Sequence, residues 1–175
     1  MAEYSINISE LKNYTSVLKA GDRVLLSGIV YTSRDAAHKR IFELLDNEEE
    51  LPFNPDGACI YFAGPTPTPE GMVIGSCGPT TSGRMDVYSP RLLDLGLVAM
   101  IGKGKRNQAV CDTIIKNNAV YFCAVGGAGA LCAKQIKSCK EIAFEDLGCE
   151  SIKELLLEDF PVIVGIDCSG GNLFK

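Results

Sequence analysis

Apolar runs in this chain repeatedly stop at a short stretch of glycine, hydroxyl or cationic residues and give way to a segment of helical pattern. Arg23 to Tyr31 (RVLLSGIVY) runs into TSRDAAHKR. Leu97 to Ile101 ends in Gly102-Lys103-Gly104, and Ala119 to Val125 ends in Gly126-Gly127-Ala128-Gly129-Ala130. Short runs rich in β-branched and apolar residues read as strands. Strands alternating with helices imply α/β architecture. In such folds ligands bind beyond the carboxyl ends of the strands, so the polar stretches are the places to look for function.

The remaining segments fill in the alternation. Ile8 to Lys19 holds a short helix, and Gly21-Asp22 is a turn. Thr32 or Ser33 is placed to cap a helix with Ile41, Phe42, Leu44 and Leu45 on one face. A strand is expected at Ala58 to Ala63 and a short one at Met72 to Gly75. The prolines of Gly64-Pro65-Thr66-Pro67-Thr68-Pro69 forbid a regular helix and a central strand. Ser89-Pro90 opens a helix through Leu95. Asn107 to Asn117 fits a helix, Leu131 to Ile136 a helix or turn, Ile152 to Leu157 a helix, and Val162 to Ile166 a last strand. Residues 1–175 read as one domain, without internal repeats or a long linker.

A formal net charge of −5 argues against a nucleic-acid partner, which selects for a basic face. Met1 to Glu10 lacks the apolar core of a signal peptide, and no apolar run reaches the ~20 residues of a membrane span. The expected location is cytoplasmic. The eight cysteines form no CxxC and no ferredoxin-like run. In reducing surroundings they read mainly as small core residues. A metal cluster held by this chain is not expected.

Four stretches could carry chemistry. In Arg34 to Arg40, the guanidinium of Arg34 follows a strand and could grip a carboxylate through paired hydrogen bonds; on spacing alone a solvated basic helix end fits better. His38 is the sole histidine. Gly78 to Asp86 sets Thr80, Thr81 and Ser82 between glycines, with Arg84 beyond. That is the pattern of an anion cradle, or of a polar surface turn. Lys103 between two glycines could reach into a crevice as a point charge, or sit in a solvated loop. Gly126 to Ala130 does not follow GxGxxG; close packing of helix on strand fits it best, and a wall of an anion pocket is the alternative. Together Arg34, Arg84 and Lys103 suggest a small polyanion such as a dicarboxylate. No complete catalytic apparatus is evident.

At these residues the sequence resembles the β subunit, or C-terminal domain, of class I (iron–sulfur) fumarate hydratases and the related L-tartrate dehydratases. The matching stretches are TSRDAAHKR, Gly64-Pro65, GPTTSGRMDVYSP (Gly78 to Pro90), IGKGKR (Ile101 to Arg106), VGGAGAL (Val125 to Leu131), EDLGCESI (Glu145 to Ile152) and EDFPVIVGID (Glu158 to Asp167). They fall in family order across nearly the whole chain. The resemblance implies a swivelling β/β/α domain and reversible hydration of fumarate to L-malate. It implies a [4Fe–4S] cluster held by a partner α subunit rather than by this chain, and a heterodimer or a dimer of heterodimers. Carried over by motif, Arg34, Thr80, Arg84 and Lys103 line the substrate pocket. Thr80 takes part in proton transfer with an aspartate from the other subunit, and His38 and Asp86 are supporting residues. Asp86, with Tyr88-Ser89-Pro90, looks like the fumarase branch, because the tartrate branch tends to carry Glu at that position. L-tartrate dehydratase, mesaconate hydratase, a non-catalytic dicarboxylate-binding module and a nucleotide-binding α/β protein are the competing readings. The absence of GxGxxG and P-loop patterns weighs against the last.

Overall fold

The computed structural model describes residues 1–125 and 127–175. Its centre is β2 (Arg23–Thr32), with β1 (Glu3–Asn7) parallel on one edge. Further along that same edge of β2 comes β3 (Cys59–Tyr61), followed by β4 (Ala99–Gly102) and β5 (Val120–Cys123), each parallel to its neighbour. The long β7 (Ile152–Ile166) is antiparallel to β5 and again to β2. The strands β2, β3, β4, β5 and β7 therefore close into a ring. β6 (Ile136–Ala143) extends the sheet from the first half of β7.

Strand periodicity divides the core in two, since successive side chains point to opposite faces. Val24, Leu26, Val30, Tyr61, Ile101, Phe122, Leu155 and Phe160 fill the inside of the ring. The alternate residues Ile60, Met100, Tyr121 and Ile166 face outward, under three helices. These are α1 (Asp35–Asp46), α2 (Ser89–Asp94) and α3 (Gln108–Lys116), which contribute Ile41, Leu92, Leu93, Val110 and Ile114. A short α4 (Gly129–Lys134) lends Cys132 to the inner core. Closing so small a ring requires a bend. It comes where the β2–β7 register shifts between Leu26 and Gly28. Gly28 adopts φ +110 there, and a Cβ would stand 2.8 Å from the Asn7 side-chain oxygen. On the facing strand, Asp159 has φ 51 and donates its amide to Ser27 Oγ at 3.0 Å.

Several sequence expectations give way. Ile152 to Leu157 is not helical; it is the first half of β7. Its apolar residues fall at helical spacing, but Leu155 and Leu157 fill the ring while Leu156 is exposed, and pairing with β2 and β6 outweighs helix propensity. Met72 to Gly75 forms no strand: Met72 and Val73 are exposed, and the backbone of Gly75 packs against Thr66 and Pro67. The expected helix at Ile8 to Lys19 is a 3-10 turn over Ile8–Asn13. The cap of α1 is neither Thr32 nor Ser33. The cap position falls on Arg34, which offers no side-chain cap, because Ser33 Oγ is engaged by His38. Among the described residues no helix is long and apolar enough to cross a membrane.

Candidate functional site

The carboxyl ends of β2, β3 and β4 lie side by side, and a wedge of chain from the Gly78 loop enters between the last two. Pairing of β3 with β4 runs on to Phe62, whose amide donates to Ile101. The Phe62 carbonyl then accepts the Thr80 amide at 2.7 Å, and the Ser82 amide donates to the Lys103 carbonyl at 2.9 Å. Thr81 forms an isolated parallel bridge with Lys103. These bonds set Thr80 beside the end of β3 and Lys103 beside Thr81. Strand alternation puts Met100 on the helix side and Ile101 on the ring side. The same alternation carries Lys103 toward the ring mouth. Among the described residues the Lys103 amine has no carboxylate partner.

The start of α1 supplies the second wall. Arg34 lies across Gly64, where a Cβ would come within 2.9 Å of its Cδ and 3.1 Å of the Cys149 carbonyl. Its Nε is buried without a hydrogen-bond partner, 3.8 Å from Glu150. Arg84, in the 3-10 turn Ser82–Met85, reaches the next residue, Asp35: Nε donates to Oδ1 at 3.2 Å, and Nη2 lies 2.9 Å from Oδ2 without hydrogen-bond alignment. Arg34 and Arg84 are thus held at one edge of the mouth, each beside an acidic residue. Asp35 and Glu150 are site residues that sequence reasoning passed over, although both lie inside the quoted motifs.

His38 is fully buried against Phe62 and Tyr88. Its Nδ1 lies 2.8 Å from the Arg34 carbonyl and 2.8 Å from Ser33 Oγ. A carbonyl only accepts, so Nδ1 carries the proton; Nε2 is buried without a partner. Desolvation lowers the imidazole pKa to about 4, outweighing the hydrogen bond to Arg34. The ring is neutral near pH 7 and touches Arg34 through the backbone.

Asp86 does not meet the open mouth with a free carboxylate. One oxygen accepts from Arg106 Nε at 2.6 Å and the other from the Asn107 amide at 2.7 Å. Arg106 also donates to Ser89 Oγ at 2.6 Å and lies over the rings of Phe62 and Tyr121. This buried pair staples the Gly78 loop to the loop before α3. In the glycine run, Gly126 lies outside the described residues, whereas Gly129 packs against Gly78 and its carbonyl accepts the Cys77 amide at 3.1 Å. Among the described residues no three His, Cys, Asp or Glu side chains are placed to hold a metal ion. Burial raises the Cys77 thiol to about 12.

Residues 2–175 match the family described as Fumarase C-terminus. The chain belongs to that family. It is 38% identical over 170 residues to the aerobic class I fumarate hydratase of Escherichia coli, covering 96% of this chain but 31% of the relative. Fumarate hydratase 2 of Leishmania major gives 38% identity over 174 residues, covering 96% of this chain and 30% of that protein. The provisionally named L(+)-tartrate dehydratase subunit beta of Methanocaldococcus jannaschii is 36% identical over 179 residues, covering 99% of this chain and 91% of the relative. The chain thus spans about a third of the length of these fumarate hydratases and nearly all of the subunit-sized relative. Within this fumarase C-terminus chain, the wedge at Thr80 to Ser82 and the start of α1 form a cationic, hydroxyl-bearing rim. Such a rim is suited to a small anion with more than one carboxylate.

Proposed function

We propose that this chain is the β subunit of an iron–sulfur-dependent hydro-lyase that reversibly hydrates fumarate to L-malate. One observation carries the reading: Arg34, Thr80, Arg84 and Lys103 gather at the carboxyl ends of three adjacent parallel strands. Arg34, Arg84 and Lys103 hold the two carboxylates and fix the carbon skeleton across the mouth. Orientation of this kind supplies much of an enzyme's advantage. Thr80, set beside the end of β3 by its amide bond to Phe62, takes part in proton transfer at C3, with an aspartate of the partner. The domain would be the swivelling β/β/α domain of the family.

The mouth is half a site. The principal cavities among the described residues are lined by other side chains. Val87 and Val125 stand 79% and 63% exposed, on the loop after Arg84 and just after β5. A partner α subunit that covers this end would bury both and exclude water from the substrate. The cysteines here offer no ligand set, so the [4Fe–4S] cluster is assigned to that partner; when bound it supplies a Lewis acid for the leaving hydroxyl. The same reading carries with it a cytoplasmic heterodimer, or a dimer of heterodimers.

The end-to-end match to a tartrate dehydratase subunit favours a second reading with the same geometry, L-tartrate as substrate. Anaerobic assays of the chain alone, and mixed with an α subunit carrying an intact cluster, decide between them. Hydration of fumarate only in the mixture is expected. Turnover of tartrate or mesaconate instead would change the substrate. Inactivity on all three would leave a dicarboxylate-binding module.

A further inference from the structure

Lys103 is fixed in place by a closed chain of hydrogen bonds that runs through two buried hydroxyls. Its amide donates to Ser82 Oγ at 3.0 Å. Ser82 Oγ lies 2.9 Å from the Tyr121 hydroxyl, which lies 2.8 Å from the Gly104 carbonyl. Tyr121 has one hydroxyl proton and the Gly104 carbonyl can only accept. That proton therefore goes to Gly104, and Ser82 donates its own to the Tyr121 oxygen. The chain leaves Lys103 at its amide and returns at the next residue, so both sides of the Gly-Lys-Gly turn are held. Every donor in it has one acceptor.

The surroundings leave this chain little freedom. Ser82 and Tyr121 are fully buried. Tyr121 stands on the outer face of β5, wedged beneath the Arg106 guanidinium, which lies 5.0 Å from its ring. Burial pushes its hydroxyl above the ordinary tyrosine range, so it stays protonated. A Cβ at Gly102 would lie 1.9 Å from Ser82 Oγ, so that position admits only glycine while Ser82 holds its place. Ser82 is also two residues from Thr80 on the same wedge.

We propose that Ser82 and Tyr121 are positioning residues that set Lys103, and with it the Thr80 wedge, for the substrate carboxylate. This rests on the dicarboxylate reading above. Neither side chain touches substrate. Displacing a binding group by about 1 Å can cost about 100-fold in rate, so loss of either hydroxyl is expected to lower kcat/KM for fumarate by about 10- to 100-fold.

Two measurements on Tyr121→Phe and Ser82→Ala test this, and the first needs no partner or substrate. Hydrogen exchange by NMR on the chain alone should show the Lys103 amide exchanging at least about tenfold faster in both variants. The Met100 amide, held in the β4 ladder, should be unchanged and reports any general loosening. Equal acceleration at Met100 and Lys103, or none at Lys103, overturns the proposal. In the assembled enzyme, Tyr121→Phe should lower kcat/KM for fumarate with its melting temperature close to wild type; unchanged kinetics also overturns it. A wild-type assembly that fails to hydrate fumarate defeats the functional reading instead, and the exchange result still decides whether the two hydroxyls hold Lys103.

Discussion

Arg84 and Arg106 each face an aspartate, and the two pairs differ in every respect that matters. The Arg106–Asp86 pair is 0% and 10% exposed, with both carboxylate oxygens and the guanidinium shared among Asn107, Ser89 and Met100. The Arg84–Asp35 pair is 54% and 36% exposed, joined by one aligned hydrogen bond. A buried pair whose every nitrogen is already engaged and shut away from solvent is not placed to meet a ligand; it holds two loops together. A loosely held arginine at a surface has donors to spare and can exchange a protein carboxylate for a substrate one. Residue type and motif alone do not separate these roles, because both arginines lie in family stretches.

The sharpest way to break this contrast is Asp86→Ala. It leaves the Arg106 charge buried and unpaired, and stability should fall by about 3–5 kcal/mol, read as a large drop in the thermal midpoint. A melting curve like wild type would remove the structural role given to the buried pair.

His38 gives the next largest effect. Its pKa is about 4 in the folded chain against an unfolded value of 6.5. Between these values the unfolded state binds the extra proton. Stability from the neutral imidazole is therefore complete above pH 6.5 and lost as pH falls toward 4, by about 3 kcal/mol. The lowered carboxyls of Asp22, Asp94 and Asp146 act below their usual value of 3.8, outside this window. Denaturant titrations of wild type should slope with pH across that window, and those of His38→Gln should be flatter. Identical slopes would refute the assignment.

For Arg84→Ala, the folded chain should lose no more than about 1 kcal/mol. In the assembled enzyme kcat/KM should fall by about 1.5–3 kcal/mol of transition-state stabilisation, or about 10- to 150-fold, the worth of a charged hydrogen bond. Near-wild-type kinetics would sink its role as a clamp. The smallest expected change is the stability of Asp35→Asn, within about 1 kcal/mol and weaker still in high salt; a urea midpoint shifted as far as that of Asp86→Ala would show that the two pairs are not different in kind.

Much of this molecule was legible in its sequence, for local reasons. β2, β4, β5 and α3 carry their own boundaries, and α3 is capped by Asn107, whose side chain accepts the Val110 amide. Val162 to Ile166 reads as the strand it is, but the first half of β7 reads as a helix because Ile152, Leu155 and Leu156 fall at helical spacing, and the difference between a core and an exposed leucine appears only once neighbouring strands exist. β1 and β6 give no strand signal for a different reason: both are largely exposed, so alternation is weak. At the candidate site, Arg34, Thr80, Arg84 and Lys103 are proposed from the motifs alone. The acids that restrain the arginines and the hydroxyls that hold Lys103 depend on contacts across many residues of chain, and no spacing rule reports them.

One strand closes the ring. β7 comes last of the seven in chain order, and it is the partner that β2 and β5 need to leave no open edge between them. Without it, the four parallel strands β2 to β5 would be an open sheet with the apolar lumen facing solvent. Its pairing with β2 joins residues more than a hundred positions apart, the kind of distant contact that slows folding and leaves intermediates prone to aggregate. The wedge that carries Thr80 hangs from β3 and β4, inside that ring, so the shape of the candidate mouth depends on closure by a strand that lends it none of the four motif residues.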